Sequence, residues 1–140
     1  MKLNKFINYY EQIIYIFIIV IAVLIFPVLS RAIYKKANYT TLNLEGKDYK
    51  LLVADNRLRW TKGLSGIKKL DGYDGMLFVF PDKKIKTFWN YDTYLNLKIY
   101  WLDDDDIVGI SDLPSIEETE KPITVRSPEK VNKVVELVIK

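Results

Sequence analysis

The sequence predicts a mainly β domain, a small barrel or twisted sandwich with one or two short helices, behind one N-terminal transmembrane helix. The first observation is the uncharged apolar run from Ile13 to Leu29. The second is a series of at least six short strand-like segments, separated by turn residues, in the remainder of the chain. The third is the polar, charge-balanced composition of that remainder, which suits a water-exposed domain. An α+β sheet with helices on one face is the alternative.

The apolar run predicts a membrane anchor. At about 1.5 Å of rise per residue, a helix of this length reaches the lower limit for crossing a hydrocarbon core of roughly 30 Å. A cleaved secretory signal is the alternative, because Lys2 and Lys5 precede the run and the small residue Ser30 follows it. The predicted organisation is a cap over residues 1–12, the anchor or signal over 13–30, a stalk over 31–38 and the folded domain over 39–140.

The charges that flank the run bear on orientation and location. Lys2, Lys5 and the terminal amine stand before it, against Arg31, Lys35 and Lys36 after it, so the positive-inside rule gives nearly equal weight to both orientations. The signal-like order favours an external C-terminal domain. We therefore expect a single-pass protein of the cell membrane, attached to the lipid bilayer through Ile13 to Leu29, with its folded domain outside the cytoplasm.

The first half of the folded domain predicts a hairpin, a helix and a buried strand. Strands over Tyr39–Leu44 and Lys47–Ala54 flank a turn. Asp55 is the predicted N-cap of a helix that runs through Lys62, and Gly63 supplies the left-handed residue that ends it. The continuous apolar run Met76–Phe80 needs cover on both faces, which predicts a central strand.

The second half of the domain predicts three further strands. Leu95–Leu102 alternates apolar and polar side chains, which indicates one dry and one wetter face. The remaining predicted features are a chain reversal at Pro81–Lys84 before Ile85–Asn90, a strand over Ile107–Ile110, an acidic surface loop over Leu113–Pro122, a short helical turn opened by Ser127-Pro128-Glu129 and a last strand over Val134–Ile139.

Composition excludes several classes of function. The chain has neither histidine nor cysteine, which removes serine–histidine triads, cysteine nucleophiles, ordinary zinc sites and disulfides. The net charge of +3 is spread along the chain, and a nucleic-acid-binding protein would gather its basic residues into a stripe. We therefore expect no nucleic-acid partner, no cofactor and no metal site.

One ordered set of residues resembles a known family. The set is Val53-Ala54, Gly63-Leu64, Gly75 to Phe80, Phe88-Trp89, Thr93, Leu97 and Val135-Glu136-Leu137. Over residues 47–138 this order resembles the DUF192 family, also called UPF0127, and the specific part is Gly75 to Phe80 followed by Phe88-Trp89. The resemblance implies a small β-rich domain, frequently secreted or membrane-tethered, without an established biochemical activity.

The chain departs from the family pattern after Phe88-Trp89. The family usually carries Met, then Asn-Thr, then Pro-Leu-Asp, whereas this chain has Asn90, Asp92-Thr93 and Asn96-Leu97-Lys98. Before Gly63 the family often has an acidic or amide residue followed by Arg, and here Arg59-Trp60 stands there. If the family shares a polar ligand site, the resemblance implies that this member has altered or lost it.

Four residues form the predicted binding site. Trp89 would stack on a sugar ring or a peptide side chain, while Arg59, Asp92 and Thr93 would hydrogen-bond the ligand. Core or rim packing is the alternative role for Trp89 and for the other two tryptophans. The leading hypothesis is a binding module for an envelope component, such as an envelope polymer, or for a protein partner.

Two rival functions follow from other residues. An envelope hydrolase would work with carboxylates such as Asp55, Asp74 or Asp92. A structural scaffold would carry a large exposed apolar patch instead.

Two short motifs carry weaker hypotheses. Ser65-Gly66-Ile67-Lys68 has the spacing of a serine–lysine acylation motif, but its companion motifs are absent. The acidic run Asp103–Asp106 predicts a solvated hairpin turn with weak cation binding at most, because it lacks the spacing of a calcium loop.

Overall fold

The computed structural model describes residues 14–21 and 38–139. The chain divides into two units, Met1–Ala37 and Asn38–Lys140. Residues 14–21 are helical, and within the described ranges no helix combines the length and apolar character that a membrane crossing requires. The predicted cap, the stalk up to residue 37 and the rest of the predicted anchor lie outside the described residues.

The second unit is built from two sheets and two short helices. The larger sheet has six strands in the order β1-β2-β3-β8-β5-β6, and the smaller pairs β4 with β7. All neighbours are antiparallel except β2 and β3, which are parallel and joined through helix α1. The strands are β1 (Tyr39–Leu44), β2 (Lys47–Ala54), β3 (Gly75–Lys84), β4 (Thr87–Trp89), β5 (Leu97–Asp103), β6 (Asp106–Leu113), β7 (Thr124–Arg126) and β8 (Val131–Val138), and the helices are α1 (Arg57–Lys62) and α2 (Ile116–Thr119).

The mainly β prediction is confirmed, and the predicted barrel is wrong for the described residues. Strands β1 and β6 are the two edges of the large sheet and do not pair with each other. The sheet coils instead, so that the phenol of Tyr100 in β5 donates a 3.0 Å hydrogen bond to Glu45 in the β1–β2 turn. This coil buries an apolar cluster that includes Leu44, Leu51 and Val135, so the inner face is covered without closure of the sheet.

The predicted central strand is confirmed. β3 lies between β2 and β8, and its residues 75–78 are all buried. Leu77 belongs to the cluster inside the coil. Phe78, on the other face, meets Phe88 of β4 edge to face at a centroid distance of 4.8 Å, and Phe88 meets Trp101 of β5 at 5.7 Å. The small sheet is thereby attached to the outer face of the large one through aromatic contacts.

Helix α1 ends at Gly63 as predicted but begins one residue later than expected. Asn56, not Asp55, is the N-cap, and its side-chain oxygen accepts a 3.1 Å hydrogen bond from the amide of Arg59. Asp55 instead pairs with the Arg59 guanidinium at 3.0 Å. Trp60 fixes the helix to the sheet, since its indole N–H is shared between the carbonyl oxygens of Ala54 at 2.9 Å and Val79 at 3.1 Å.

Several local predictions are corrected. The chain does not reverse at residues 81–84, because β3 continues to Lys84 through a register irregularity against β8. Ser127 to Glu129 form a bend without a helical turn, stabilised by the Ser127 hydroxyl, which donates to the carbonyl of Glu129. Strand β5 has no wetter face along its centre, since residues 99–102 are all buried. The acidic segment after Leu113 contains α2.

Candidate functional site

A cleft of about 410 Å³ lies on the outer face of the large sheet. Its walls come from α1 and the loop after it, from the end of β3, and from β4, while β8 supplies its deepest polar group. Six aromatic residues line it, namely Trp60, Phe78, Phe80, Phe88, Trp89 and Tyr91. The volume falls within the usual range of small-molecule sites, and apolar walls with few polar groups are typical of such sites.

Glu136 is the buried acid of this cleft. Its side chain is only 5% exposed, and its Oε2 atom has no hydrogen-bond partner. Burial raises the pKa of Glu136 to about 8 from an ordinary value of 4.5, because the low-dielectric surroundings disfavour the charged form. Buried polar groups are normally hydrogen-bonded in proteins. An unsatisfied carboxyl that lines a cleft therefore marks this position as a candidate for ligand contact.

The local sequence explains how Glu136 reaches the cleft. In β8 it alternates with Val135 and Leu137, which enter the cluster inside the coil, so its side chain takes the outer face. Gly63 lies directly above it, because a Cβ at that position would stand 3.7 Å from Glu136 Oε2 and 3.3 Å from Phe78 Cζ. Gly63 also has a φ of 47°. A side chain at residue 63 would crowd the Phe78 ring and would contact this carboxyl.

Part of the cleft lining is polar and basic. Lys86 lies with its Nζ 4.0 Å from the centroid of the Phe80 ring, and the same ammonium contacts Asp82 at 3.2 Å. Lys62 lines the opposite, helical wall. Hydroxyl groups of Thr61, Ser65, Thr87 and Thr93 complete the polar lining. The cleft therefore combines a buried carboxyl, aromatic side chains and two ammonium groups.

The structure brings two of the four predicted site residues into the cleft. Trp89 lines it and is 58% exposed, with its ring tilted against Tyr91 at a centroid distance of 5.3 Å. Thr93 also lines it and is buried. Arg59 and Asp92 are not among the lining residues. The predicted four-residue constellation is therefore divided between the cleft and the surface around it.

Asp92 connects two loops beside the cleft. It adopts a φ of 54°, and its carbonyl accepts a 2.7 Å hydrogen bond from the amide of Gly66. Its side chain accepts one from the Ser65 hydroxyl at 3.1 Å, and its hydrogen bond to Tyr94 raises the pKa of that phenol. These contacts hold the loop after α1 against the loop after β4.

The serine–lysine motif and the carboxylates of Asp55 and Asp74 take part in local contacts outside the cleft or away from any catalytic arrangement. Residues 65–68 are not helical, and the Lys68 ammonium lies 4.8 Å from the centroid of the Tyr94 ring, so Ser65 and Lys68 do not form the one-turn pair that acylation needs. Asp74 accepts a 3.0 Å hydrogen bond from the amide of Lys50, and Asp55 pairs with Arg59. Neither carboxylate lines the cleft.

The acidic run forms the predicted hairpin turn between β5 and β6. Lys83 reaches Asp103 and Asp104 at 2.5 and 2.7 Å, and Lys133 reaches Asp105 at 2.8 Å. Within the described ranges, no group of three or more acidic side chains is placed to hold a metal ion. Three of the carboxylates are thus paired with ammonium groups of the chain itself.

Glu136 lines the cleft but is not among the four residues that the sequence predicted for the site. It stands in the apolar stretch Val134–Val138, and a charged side chain at the centre of a buried strand is itself a signal, because glutamate is rarely buried without a partner. Its absence from the predicted site reflects the distance along the chain, since β8 follows β4 by about 40 residues. Only the tertiary structure brings it into the cleft that Phe88 and Gly63 also line.

Comparison with known proteins identifies the family. The profile of DUF192, described as "Uncharacterized ACR", matches residues 40–139. The chain belongs to the DUF192 family. The match spans all eight strands from β1 to β8, so the resemblance noted from the order of motifs is confirmed. No curated protein matches this DUF192 chain.

Two solved structures share the fold of this DUF192 domain. One is a Sinorhizobium meliloti 1021 protein described as a "putative transcription regulator", with a TM-score of 0.56, 25% identity, and coverage of 74% of this chain and 84% of that one. The other is a protein of unknown function from Novosphingobium aromaticivorans DSM 12444, with a TM-score of 0.54, 17% identity, and coverage of 74% and 82%. The fold is thus shared with both proteins.

The departure from the family pattern at Asn90 has a structural consequence. The Asn90 side chain is fully buried, and its amide donates to the carbonyl of Pro114 and to the hydroxyl of Thr119 at 3.0 and 2.8 Å. Its oxygen accepts a 2.8 Å hydrogen bond from the amide of Ile123. Asn90 therefore joins the end of β4 to the segment that carries α2.

Proposed function

We propose that this DUF192 protein is a membrane-tethered binding module whose domain lies outside the cytoplasm and whose cleft holds an envelope component. The single observation that carries the proposal is the unpartnered, buried carboxyl of Glu136 in an aromatic-walled cleft. A protein that gained nothing from an open cleft would be expected to fill it or to satisfy the carboxyl, since an unsatisfied buried polar group is costly.

The neighbourhood of Glu136 favours binding over hydrolysis. Glycoside hydrolysis needs two carboxyl groups on either side of the reacting bond. Among the described residues that line the cleft, Glu136 is the only carboxylic acid. Asp55, Asp74 and Asp92 instead take part in hydrogen bonds that hold loops and the sheet. The exposed Trp89–Tyr91 pair supplies a flat surface on which a ligand can stack.

Site-specific photocrosslinking tests the binding role. A photoreactive phenylalanine at Trp89 in the full-length protein, expressed in cells, should form an adduct with the occupant of the cleft. The matched control carries the same group at Leu58, which is 66% exposed on α1 and does not line the cleft. An adduct with an envelope molecule at position 89 alone supports the proposal. An adduct with a protein alone would reassign the occupant, and equal yields at both positions would contradict a specific cleft.

The anchor is supported by the uncharged run from Ile13 to Leu29. Full-length protein should stay in the membrane pellet after alkaline carbonate extraction. Replacing Ile18 and Val20 together with lysine should release it, because charges near the centre of a membrane-spanning helix cost several kcal/mol. Replacing the same two residues with leucine is the control. Release of the unchanged protein by carbonate would refute the anchor.

The absence of cysteine makes the external location testable. A single Lys130→Cys substitution creates the chain's one thiol, at an exposed residue in the bend before β8. We expect a membrane-impermeant maleimide to label this thiol in intact cells. The control is labelling after permeabilisation, which should not increase the yield. Labelling that requires permeabilisation would place the domain in the cytoplasm.

A further inference from the structure

The acid in the cleft lacks a counter-charge from the protein. The pKa of Glu136 is raised by burial, and no neighbouring positive charge lowers it. The other titratable side chains that line the cleft are Lys62 on α1, Lys86 before β4 and Tyr91 after β4. Lys86 is engaged by the Phe80 ring and by Asp82. The group that satisfies Glu136 must therefore be a proton or must come from outside the chain.

A cationic group would satisfy Glu136 more strongly than a neutral one, because charge-assisted hydrogen bonds are roughly twice as strong as neutral ones. Phe78 lies beside the carboxyl, since a Cβ on Gly63 would stand 3.3 Å from Phe78 Cζ and 3.7 Å from Glu136 Oε2. The cleft already contains one ammonium beside an aromatic ring, since Lys86 lies over Phe80. The ammonium groups of Lys62 and Lys86 also line the cleft, and neither is a hydrogen-bond partner of Glu136 Oε2.

We infer that the cleft binds a ligand with an organic ammonium group, and that this group is held by the carboxylate of Glu136 beside the ring of Phe78. The inference rests on the proposed binding function and deepens it, because it names the chemical class of the ligand. The remainder of the ligand extends along the aromatic wall toward Trp89.

When the ammonium group binds, it replaces the proton on Glu136. The neutral carboxylic acid of Glu136 loses its proton to solvent, and the carboxylate then pairs with the incoming ammonium. Well below pH 8 one proton is released for each ligand bound, above that pH the carboxylate is already formed and none is released, and no bond in the ligand changes. Because the pKa of Glu136 is about 8 in the empty cleft, the affinity should rise about tenfold from pH 6 to pH 7 and level off above pH 8.

Two small probes test the inference on the full-length protein in detergent micelles. The first is n-butylammonium, and the second is n-butanol, which has the same chain without the charge. Backbone amide resonances of Gly63 and Glu136 report on occupancy. We expect n-butylammonium to bind at least tenfold more tightly than n-butanol at pH 8, with the predicted rise in affinity between pH 6 and pH 7.

Two substitutions test whether the preference for an ammonium ligand comes from the charge of Glu136. Glu136→Gln keeps the size of the side chain and removes its charge, so it should abolish both the preference for n-butylammonium and the pH dependence. Asp112→Asn, on the exposed edge strand β6, is the charge-matched control and should change neither. If Glu136→Gln does not fold, the two probes and the pH series on the unchanged protein still decide the question.

The outcomes distinguish this inference from the function on which it rests. Equal binding of the two probes at pH 8, or n-butylammonium binding that Glu136→Gln leaves intact, would overturn the ammonium site while the binding cleft stands. If neither probe perturbs the cleft resonances, and the photoreactive group at position 89 finds no partner either, both proposals fail. Tighter, pH-dependent and Glu136-dependent binding of n-butylammonium supports both.

Discussion

Glu136 Oε2 lies 3.7 Å from the point that a Cβ on Gly63 would occupy, so the end of α1 closes over an acid on the central strand pair of the sheet. The two residues are more than 70 positions apart in the chain. Their contact places a carboxyl of raised pKa at the bottom of the cleft. We expect this pair to influence both the stability of the domain and its proposed ligand preference.

The first prediction concerns stability and pH. Folding raises the pKa of Glu136 from 4.5 to about 8, so between these values the folded state binds a proton that the unfolded state has lost. The free energy of unfolding should therefore fall as pH rises through this window, by about 1 kcal/mol per pH unit from this group. Urea unfolding at pH 5 to 9 measures the slope.

Glu136→Gln provides the comparison for this slope. The variant has no proton to lose, so its stability should stay level across the same window and exceed that of the unchanged protein at pH 9. Parallel curves for the two proteins would show that Glu136 is not protonated in the folded state at neutral pH.

The second prediction concerns Gly63. Its φ of 47° and ψ of −137° lie in a region that residues with a Cβ rarely adopt, and the added Cβ would press on Phe78. Gly63→Ala should lower the free energy of unfolding by about 2 kcal/mol or more. Gly46→Ala is the matched control, because Gly46 also has a positive φ but has open space around it. Equal losses in the two variants would mean that the contact with Phe78 has no energetic weight.

The third prediction concerns Asn90. Asn90→Ala removes three hydrogen bonds of a buried side chain and leaves the amide of Ile123 without its partner. The expected cost is about 2 to 4 kcal/mol, from roughly 1 kcal/mol for each hydrogen bond and the penalty for an unsatisfied donor. Amide hydrogen exchange at Ile123 should accelerate beyond the change explained by global stability. Unchanged exchange there would contradict the role of Asn90 as a tie between β4 and the α2 segment.

The fourth prediction concerns Trp89, whose exposed side chain separates binding from folding. Trp89→Ala should cost clearly less stability than a core substitution, since 58% of Trp89 is already exposed in the folded state. It should weaken n-butylammonium binding several-fold, because the stacking wall of the cleft is lost. Trp101→Ala is the contrast, since the fully buried Trp101 should cost about 3 to 5 kcal/mol. A large loss of stability in Trp89→Ala would identify residue 89 as a packing residue.

The fifth prediction concerns calcium and the acidic turn. The carboxylates of Asp103 and Asp104 raise the pKa of Lys83 to about 12, and Lys133 pairs with Asp105. Calcium would have to displace both ammonium groups, so millimolar calcium should not change the melting temperature. A clear rise would restore the cation-binding hypothesis for this turn. Lys83→Gln with Lys133→Gln should make the turn more responsive to calcium.

The amino-acid sequence alone predicted a β-rich domain and much of the order of its strands and helices. Alternation and turn residues predicted β1 and β2 at their observed bounds, and the apolar run Met76–Phe80 predicted the buried centre of β3. These features are local, because side-chain period and turn chemistry act within a few residues. The ordered motifs also predicted the family, which the profile match confirms.

Tertiary structure alone decided whether the sheet closes and where the cleft lies. Coiling without closure depends on the twist accumulated across six strands, and no single segment encodes it. The cleft joins α1, β3, β4 and β8, whose residues meet only through the strand order of the sheet. For that reason Trp89 could be predicted as a lining residue from its residue type, whereas the apolar stretch around Glu136 signals an unusual acid without placing it in the cleft, since distant neighbours bury its carboxyl without satisfying it.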